Sequence, residues 1–291
     1  MSEMRKHTSG YGLIEGPVWD PERGLIFSDV PNGGAFCLHA DDTVSEVFPH
    51  KKGMGGMALH ADGGLVVSGR NISYKPADGG PSVTLLNPDA SRGELGFNDL
   101  TVDPDGRIYA GSVAFRPVGS DDEPKPGALH MIDLDGTSSL QWPDIQLTNG
   151  IGVSPDQRTV YHSDSFTHAV WAYERAANGQ LSNRTQFAYL GDGRTPDGLA
   201  VSADGAVWIA DARGANVRVF GADGSERDPL PVPLPMVTSV CFGGDDLKTL
   251  YVVTGSRDSG SEKGGSIFSI RVDVPGLEIS LARVPLGKMQ L

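Results

Sequence analysis

The chain has 291 residues, 38% of them apolar and 21% charged, which is enough apolar material for a sizeable core in one or two domains. Thirty-seven acidic against 24 basic residues leave a formal net charge of −13, which argues against nucleic acid and anionic membrane surfaces as partners. No stretch approaches the ~20 apolar residues of a membrane helix, and residues 1–12 lack the apolar core of a secretion signal, so a cytoplasmic location is expected.

One unit recurs along the chain: an apolar strand, a turn rich in Asp and Gly, and a second apolar strand. In chain order the copies are VWDPERGLIFSD (18–29), ALHADGGLVVSG (58–69), TVDPDGRIYAGS (101–112), GVSPDQRTVYHSD (152–164), AVSADGAVWIAD (200–211) and CFGGDDLKTLYVVTG (241–255). The residues just before each turn, Trp19, Leu59, Val102, Val153, Val201 and Phe242, are 40, 43, 51, 48 and 41 positions apart. Each copy is followed by a further strand and another turn, as in GAFCLHADD, GALHMIDLDG and AVWAYERAANG, so each unit reads as a meander of about four strands. Asp, Asn and the 39 glycines supply the positive φ angles of tight hairpins, and no segment shows sustained helical spacing. Six repeats of this length predict an all-β, six-bladed β-propeller filling residues 1–291 as a single domain. A solenoid would have shorter repeats, and two unrelated sandwiches would not explain the spacing. The strand that completes the last blade could come from residues 4–12 or from 277–284.

In a propeller the first strand of each blade lines the central channel, so equivalent positions form a ring. Four residues before the aligned position stand Glu15, Gly55, Asn98, Asn149, Asp197 and Thr238. Singly, Asn-Gly, Asp-Gly and Asn-Asp are ordinary turn pairs. Four carboxylates and carboxamides in register are different, because they are poor strand formers and two carboxylates near one axis repel. A divalent cation would neutralise Glu15 and Asp197, and the amide oxygens of Asn98 and Asn149 would complete a hard, oxygen-rich shell.

Other chemistries find little support. The DxDG strings at 103–106 and 133–136 lack the spacing of a calcium-binding EF loop and read as turns. The seven His show no zinc-binding spacing, and neither a nucleophile elbow nor a phosphate loop is present. Cys37 and Cys241 stand alone and are expected as buried thiols. The polar, Pro-rich stretch VAFRPVGSDDEPKP is either a solvated insertion or a loop over the channel, with Glu123 and Arg116 as its candidates for substrate contact.

The motifs EGPVWDPERGLIFSD, FNDLTVDPDGRIYAGS, TNGIGVSPDQRTVYHSD and TPDGLAVSADGAVWIAD together resemble the senescence marker protein/gluconolactonase/luciferin-regenerating enzyme-like family over about residues 11–275. The resemblance implies a six-bladed propeller with one divalent metal, calcium ahead of zinc, manganese or magnesium. It places the metal ligands on Glu15, Asn149 and Asp197, with Asn98 binding the metal and facing substrate. Glu123, four residues before Gly127, matches the acidic residue of the family's lid loop. Sugar lactonases of the family carry an Arg next to the FND motif; here Gly96 precedes Phe97, and Arg70 or Tyr74 could line the pocket instead. The expected activity is hydrolysis of a small or sugar lactone by metal-activated water, with Asp197 as general base and Asn98 orienting the reactants, in a monomer or small homo-oligomer. A phosphotriesterase-like hydrolase on the same site and a non-catalytic metal-binding propeller are the alternatives.

Overall fold

Strands that are apolar on both faces must be covered on both faces. In Gly24–Asp29 all six residues are buried. Leu25 and Phe27 face one way, into a core shared with Val253 and Ile267, while Ile26 faces the other way, towards Met57 and Leu65. The same alternation recurs in every repeat, and the outcome in the computed structural model, which describes residues 4–49, 52–117 and 120–287, is a ring of sheets stacked face to face.

Among the described residues the strands form six antiparallel sheets of four. Taking the innermost strand of each, blade 1 begins with Ile14–Asp20, blade 2 with Met57–Leu59, blade 3 with Gly96–Val102, blade 4 with Thr148–Val153, blade 5 with Pro196–Val201 and blade 6 with Val237–Gly243. Six hydrophobic clusters fill the six interfaces, one between each pair of neighbouring blades. Each fully buried Leu, Ile or Phe contributes about 1.5–3 kcal/mol of transfer free energy, so no single blade interface dominates. Cys37 and Cys241 are buried free thiols in two of these clusters, as expected.

The ring closes through the N-terminus. Arg5–Tyr11 pairs antiparallel with Gly265–Arg271 and becomes the outer strand of blade 6, whose other three strands come from the C-terminal part of the chain. The alternative, closure by residues 277–284, is not what forms. That segment crosses the channel mouth at the end away from the start of the inner strands. It leaves blades 5 and 6 where Gly276 N donates to Leu247 O and Ala203 N to Pro275 O (both 2.9 Å). It then reaches blades 2 and 3, where Ala282 N donates to Leu59 O (2.8 Å) and Arg283 N to Gly106 O (3.0 Å). Ala282 and Val284 are buried in the cluster between those blades. The DxDG strings are turns as expected, with Gly106 and Gly136 at positive φ.

Candidate active site

The ring positions read from the repeats lie at irregularities of the inner strands. Pairing with the second strand slips by one residue at Glu15/Val18 in blade 1, Phe97/Leu100 in blade 3, Thr148/Ile151 in blade 4, Pro196/Leu199 in blade 5 and Val237/Ser239 in blade 6. A bulge leaves its extra residue out of the ladder and re-aims the side chain. Asn98, Asn149 and Asp197 fall within the skipped steps and are turned out of the ladder, whereas Glu15 keeps its pairing with Ser28 and stands just before the bulge of blade 1. This explains how poor strand formers sit inside strands.

Side-chain hydrogen bonds staple one bulge to the next. Ser28 Oγ donates to Met54 O (2.8 Å), Ser68 Oγ to Asn98 O (2.6 Å), Asn98 Nδ2 to Thr148 O (2.9 Å), Ser165 Oγ to Pro196 O (2.7 Å) and Thr238 Oγ1 to Ile14 O (2.6 Å). These bonds span five of the six blade interfaces. The inner backbones also touch: a Cβ on Gly150 would lie 2.3 Å from Leu199 N, and one on Gly198 2.0 Å from Ser239 Oγ.

The two carboxamides are oriented by their partners. Asn98 Nδ2 also donates to Asn149 Oδ1 (3.1 Å), and Asn149 Nδ2 donates to Ser165 Oγ (3.0 Å). Both amino groups are thus spent on the protein, and the Asn149 oxygen keeps a second lone pair. The carboxylates have the opposite problem. Asp197 is 6% exposed and its Oδ1 has no hydrogen-bond partner among the described residues. Burial raises the Glu15 carboxyl well above the ordinary range, and the charges of Asp197 and Asp99 add to this. Burial likewise raises Asp197, with the Asp99 charge next, whereas Arg257 pulls the other way.

Asp99 was not among the residues expected from the sequence. It follows Asn98 in the bulge, and burial pushes its carboxyl up to about 7. It faces a cavity of about 580 Å³ inside the channel, walled by residues such as Leu100, Ile151 and Val240 and floored by Leu277–Leu281. Glu15, Asp99 and Asp197 thus lie close enough for their charges to act on one another, and the buried Oδ1 of Asp197 has no partner among the described residues. Such a set fits a divalent cation held by Glu15, Asp197 and the amide oxygens of Asn98 and Asn149. Among the described residues no three His, Cys, Asp or Glu side chains form a metal-binding group, so the carboxamides are essential to this fit.

The remaining expected contacts are placed less uniformly. Arg70 is exposed on the loop beside Gly96, where a Cβ on Gly96 would lie 3.3 Å from Arg70 Cα and 2.5 Å from Gly69 O. Arg116 makes a double hydrogen bond to Asp122 (2.8 and 2.8 Å), so the loop supplies its own partner for this guanidinium. Glu123 is exposed on the same loop, of which residues 118 and 119 lie outside the described residues. Tyr74 is not at the site: its hydroxyl donates to Asp62 O (3.3 Å) and its ring packs on His60, on the far side of blade 2. Sequence reasoning also missed an aromatic step at the entrance. Phe166, next to Ser165, is 46% exposed and stacks on buried Phe115 with ring centroids 5.8 Å apart.

The profile of the SMP-30/Gluconolactonase/LRE-like region matches residues 13–256. The chain belongs to this family. Among its relatives, a 6-deoxy-6-sulfogluconolactonase from Pseudomonas putida is 31% identical over 275 residues, covering 91% of this chain and 92% of that protein. A pentonolactonase from Haloferax volcanii is 28% identical, covering 94% and 96%. The crystal structure of a calcium-binding protein, regucalcin, from Agrobacterium tumefaciens superposes with a TM-score of 0.86 at 21% identity, covering 97% of this chain and 98% of that one. That likeness establishes the six-bladed fold.

Proposed function

We propose that this protein is a divalent-metal-dependent lactone hydrolase. The observation that carries the proposal is the convergence of Glu15, Asn98, Asn149 and Asp197 at the bulges, with one buried Asp197 oxygen unpaired. Family membership and two relatives named as lactonases support the reaction class, and the regucalcin relative named as calcium-binding supports a calcium-type ion.

A cation bound there would polarise the lactone carbonyl and make nearby water a stronger acid. Glu15 and Asp197 would balance its charge, and the Asn98 and Asn149 oxygens would fix its position. Asp197 would take the proton from the attacking water, since its buried Oδ1 has no hydrogen-bond partner among the described residues and is free to accept it. The hydrogen bonds of Asn98 to Thr148 O and Asn149 hold its side chain still, so that it can orient the substrate. The lactone ring would rest near the Phe115/Phe166 step, with Arg70, Arg116 and Glu123 on the surrounding loops within reach of its substituents.

The test is hydrolysis of glucono-, xylono- and aliphatic lactones by metal-stripped protein, before and after adding calcium, manganese, zinc or magnesium. Turnover that returns only with metal is expected, and Asp197→Ala should abolish it. Turnover by the metal-free protein, or full activity of Asp197→Ala, would overturn the mechanism. Metal binding without lactone turnover, but with phosphotriester hydrolysis, would overturn the substrate class alone.

A further inference from the structure

The entrance side of blades 5 and 6 carries a group of arginines that the ring of metal-type residues does not use. Three loops meet there. Residues 190–195 lead into Asp197, residues 212–215 join two strands of blade 5, and residues 255–264 belong to blade 6. Each contributes one guanidinium, from Arg194, Arg213 and Arg257.

The turn that follows the buried Asp211 brings them together: Arg194 through its guanidinium, Arg213 through its backbone N–H and Arg257 through the neighbouring Ala212 carbonyl. The Asp211 carboxylate accepts Thr195 N (3.3 Å) and Arg213 N (3.1 Å) through Oδ1, and Arg194 Nη1 lies 3.4 Å from its Oδ2. Arg257 Nη2 donates to Ala212 O (2.5 Å), one residue along the same turn. The loop ends are tied as well, by Ala212 N to Thr195 O (2.9 Å) and by Gly255 N to Met236 O (2.9 Å). The acidic groups facing the cluster are few. Asp211 is fully buried and committed to the contacts above, Asp258 lies 3.9 Å from Arg257 and is largely exposed, and Asp192 is hydrogen-bonded to the Tyr189 hydroxyl. Arg257 is also near enough to Asp197 for its charge to favour the ionised carboxylate.

Most of a surface with net charge −13 repels anions, so the guanidinium groups of Arg194 and Arg257, with the exposed Arg213 on the turn they share, form a local exception. Arg213 is exposed, and Arg194 and Arg257 keep side-chain exposures of 41% and 44%, so each retains donors for a ligand. Guanidinium groups suit flat or tetrahedral oxyanions, which accept paired N–H donors.

We propose that Arg257 and Arg213, with Arg194 behind them, form a subsite for an anionic substituent, so that the preferred substrate is a lactone bearing a phosphate, sulfonate or carboxylate group away from the ring carbonyl. This rests on the lactonase reading for the identity of the ring, while the anion subsite itself rests on the arginine geometry.

Two measurements test it on the full-length, metal-loaded protein. The first compares kcat/KM for 6-phosphogluconolactone and gluconolactone. The wild type should prefer the phosphorylated substrate, and Arg257→Gln or Arg213→Gln should lower the ratio of the two values by about tenfold or more, mainly through KM for the anionic substrate. The second measures binding of 6-phosphogluconate, the ring-opened product, by calorimetry. The variants should weaken it by a similar factor, and it should weaken as salt rises. An unchanged substrate ratio in both variants, or product binding indifferent to both substitutions, would overturn the subsite. Absence of turnover on either lactone would count against the lactonase reading instead, and product binding would still decide whether the subsite exists.

Discussion

Asp99 stands where the other five blades have glycine or serine: Gly16, Gly56, Gly150, Gly198 and Ser239. Its neighbour Asn98 could be found from the repeats because three further blades carry a carboxylate or carboxamide in the same register. Asp99 has no such counterparts, so the sequence offered only an ordinary Asn-Asp turn pair. Its burial has a measurable cost. With a folded pKa of about 7 and an ordinary value of 3.8 in the unfolded chain, it holds a proton in the native state between these limits that the unfolded chain has lost. Its contribution to stability therefore falls as pH rises from about 4 to 7. We expect Asp99→Asn to stabilise the metal-free protein at pH 8 relative to wild type, with the gain shrinking towards pH 5. The substitution keeps an oxygen for Leu100 N, which Asp99 Oδ1 now accepts at 2.7 Å. Parallel thermal melts of the two proteins would show a constant difference at both pH values if burial of this charge does not matter. Calcium should narrow the gap at pH 8, because a bound cation offsets the repulsion among Glu15, Asp99 and Asp197.

At the scale of the element, the inner strand was legible as an apolar strand preceded by a polar residue. The bulge that reconciles the two was not legible. Alternation in LTV, IGV and LAV gives the buried face, but nothing in those strings says that Phe97/Leu100, Thr148/Ile151 and Pro196/Leu199 each skip a pairing step. The fixing of the bulges was equally hidden, since Ser165 reads as a loop residue until its hydroxyl is seen between Asn149 and Pro196 O. Ser165→Ala strands a buried carbonyl and frees the Asn149 amide, and it is expected to cost about 1–3 kcal/mol of stability. It should also weaken metal affinity, because Asn149 loses the partner that orients it, and calorimetric titration with calcium would reveal an unchanged affinity if orientation is set elsewhere. Gly150→Ala tests the close approach of the strands themselves. Its Cβ would lie 2.3 Å from Leu199 N, so the expected destabilisation is about 1–3 kcal/mol or more, read from urea unfolding.

For the whole molecule, six repeats were enough to give the number of blades, because sheets apolar on both faces, with no α-helix among the described residues to cover them, bury themselves against one another in a ring. Closure was undetermined from the sequence. Residues 4–12 alternate weakly, and 277–284 are the more apolar of the two candidates. The polar one wins since an outer strand meets a neighbour on only one edge and solvent on much of its surface: Arg5, Lys6, Ser9 and Gly10 are all exposed. The apolar one is then free to cover the channel. The arginine cluster was also out of reach, as Arg194, Arg213 and Arg257 lie on loops of unrelated sequence that only the ring brings together.

The two terminal segments therefore make separable contributions. Residues 5–11 complete a ladder, so deleting them leaves the edge of Gly265–Arg271 unpaired, and an open strand edge recruits other chains. Residues 276–287 complete no blade. They hold a few backbone hydrogen bonds to Leu247, Leu59 and Gly106, and they bury Ala282 and Val284. Truncation after Pro275 should leave all six ladders intact while opening the 580 Å³ cavity to water at its floor. The expected result is a monodisperse protein with native far-ultraviolet dichroism, a lower melting temperature and increased binding of a hydrophobic dye, because Leu100, Ile151 and Val240 lose their cover. Deleting residues 1–11 should instead produce aggregation in size-exclusion chromatography. If the C-terminal truncation aggregates in the same way, the segment is part of what holds the ring together and cannot be regarded as a cover over the channel.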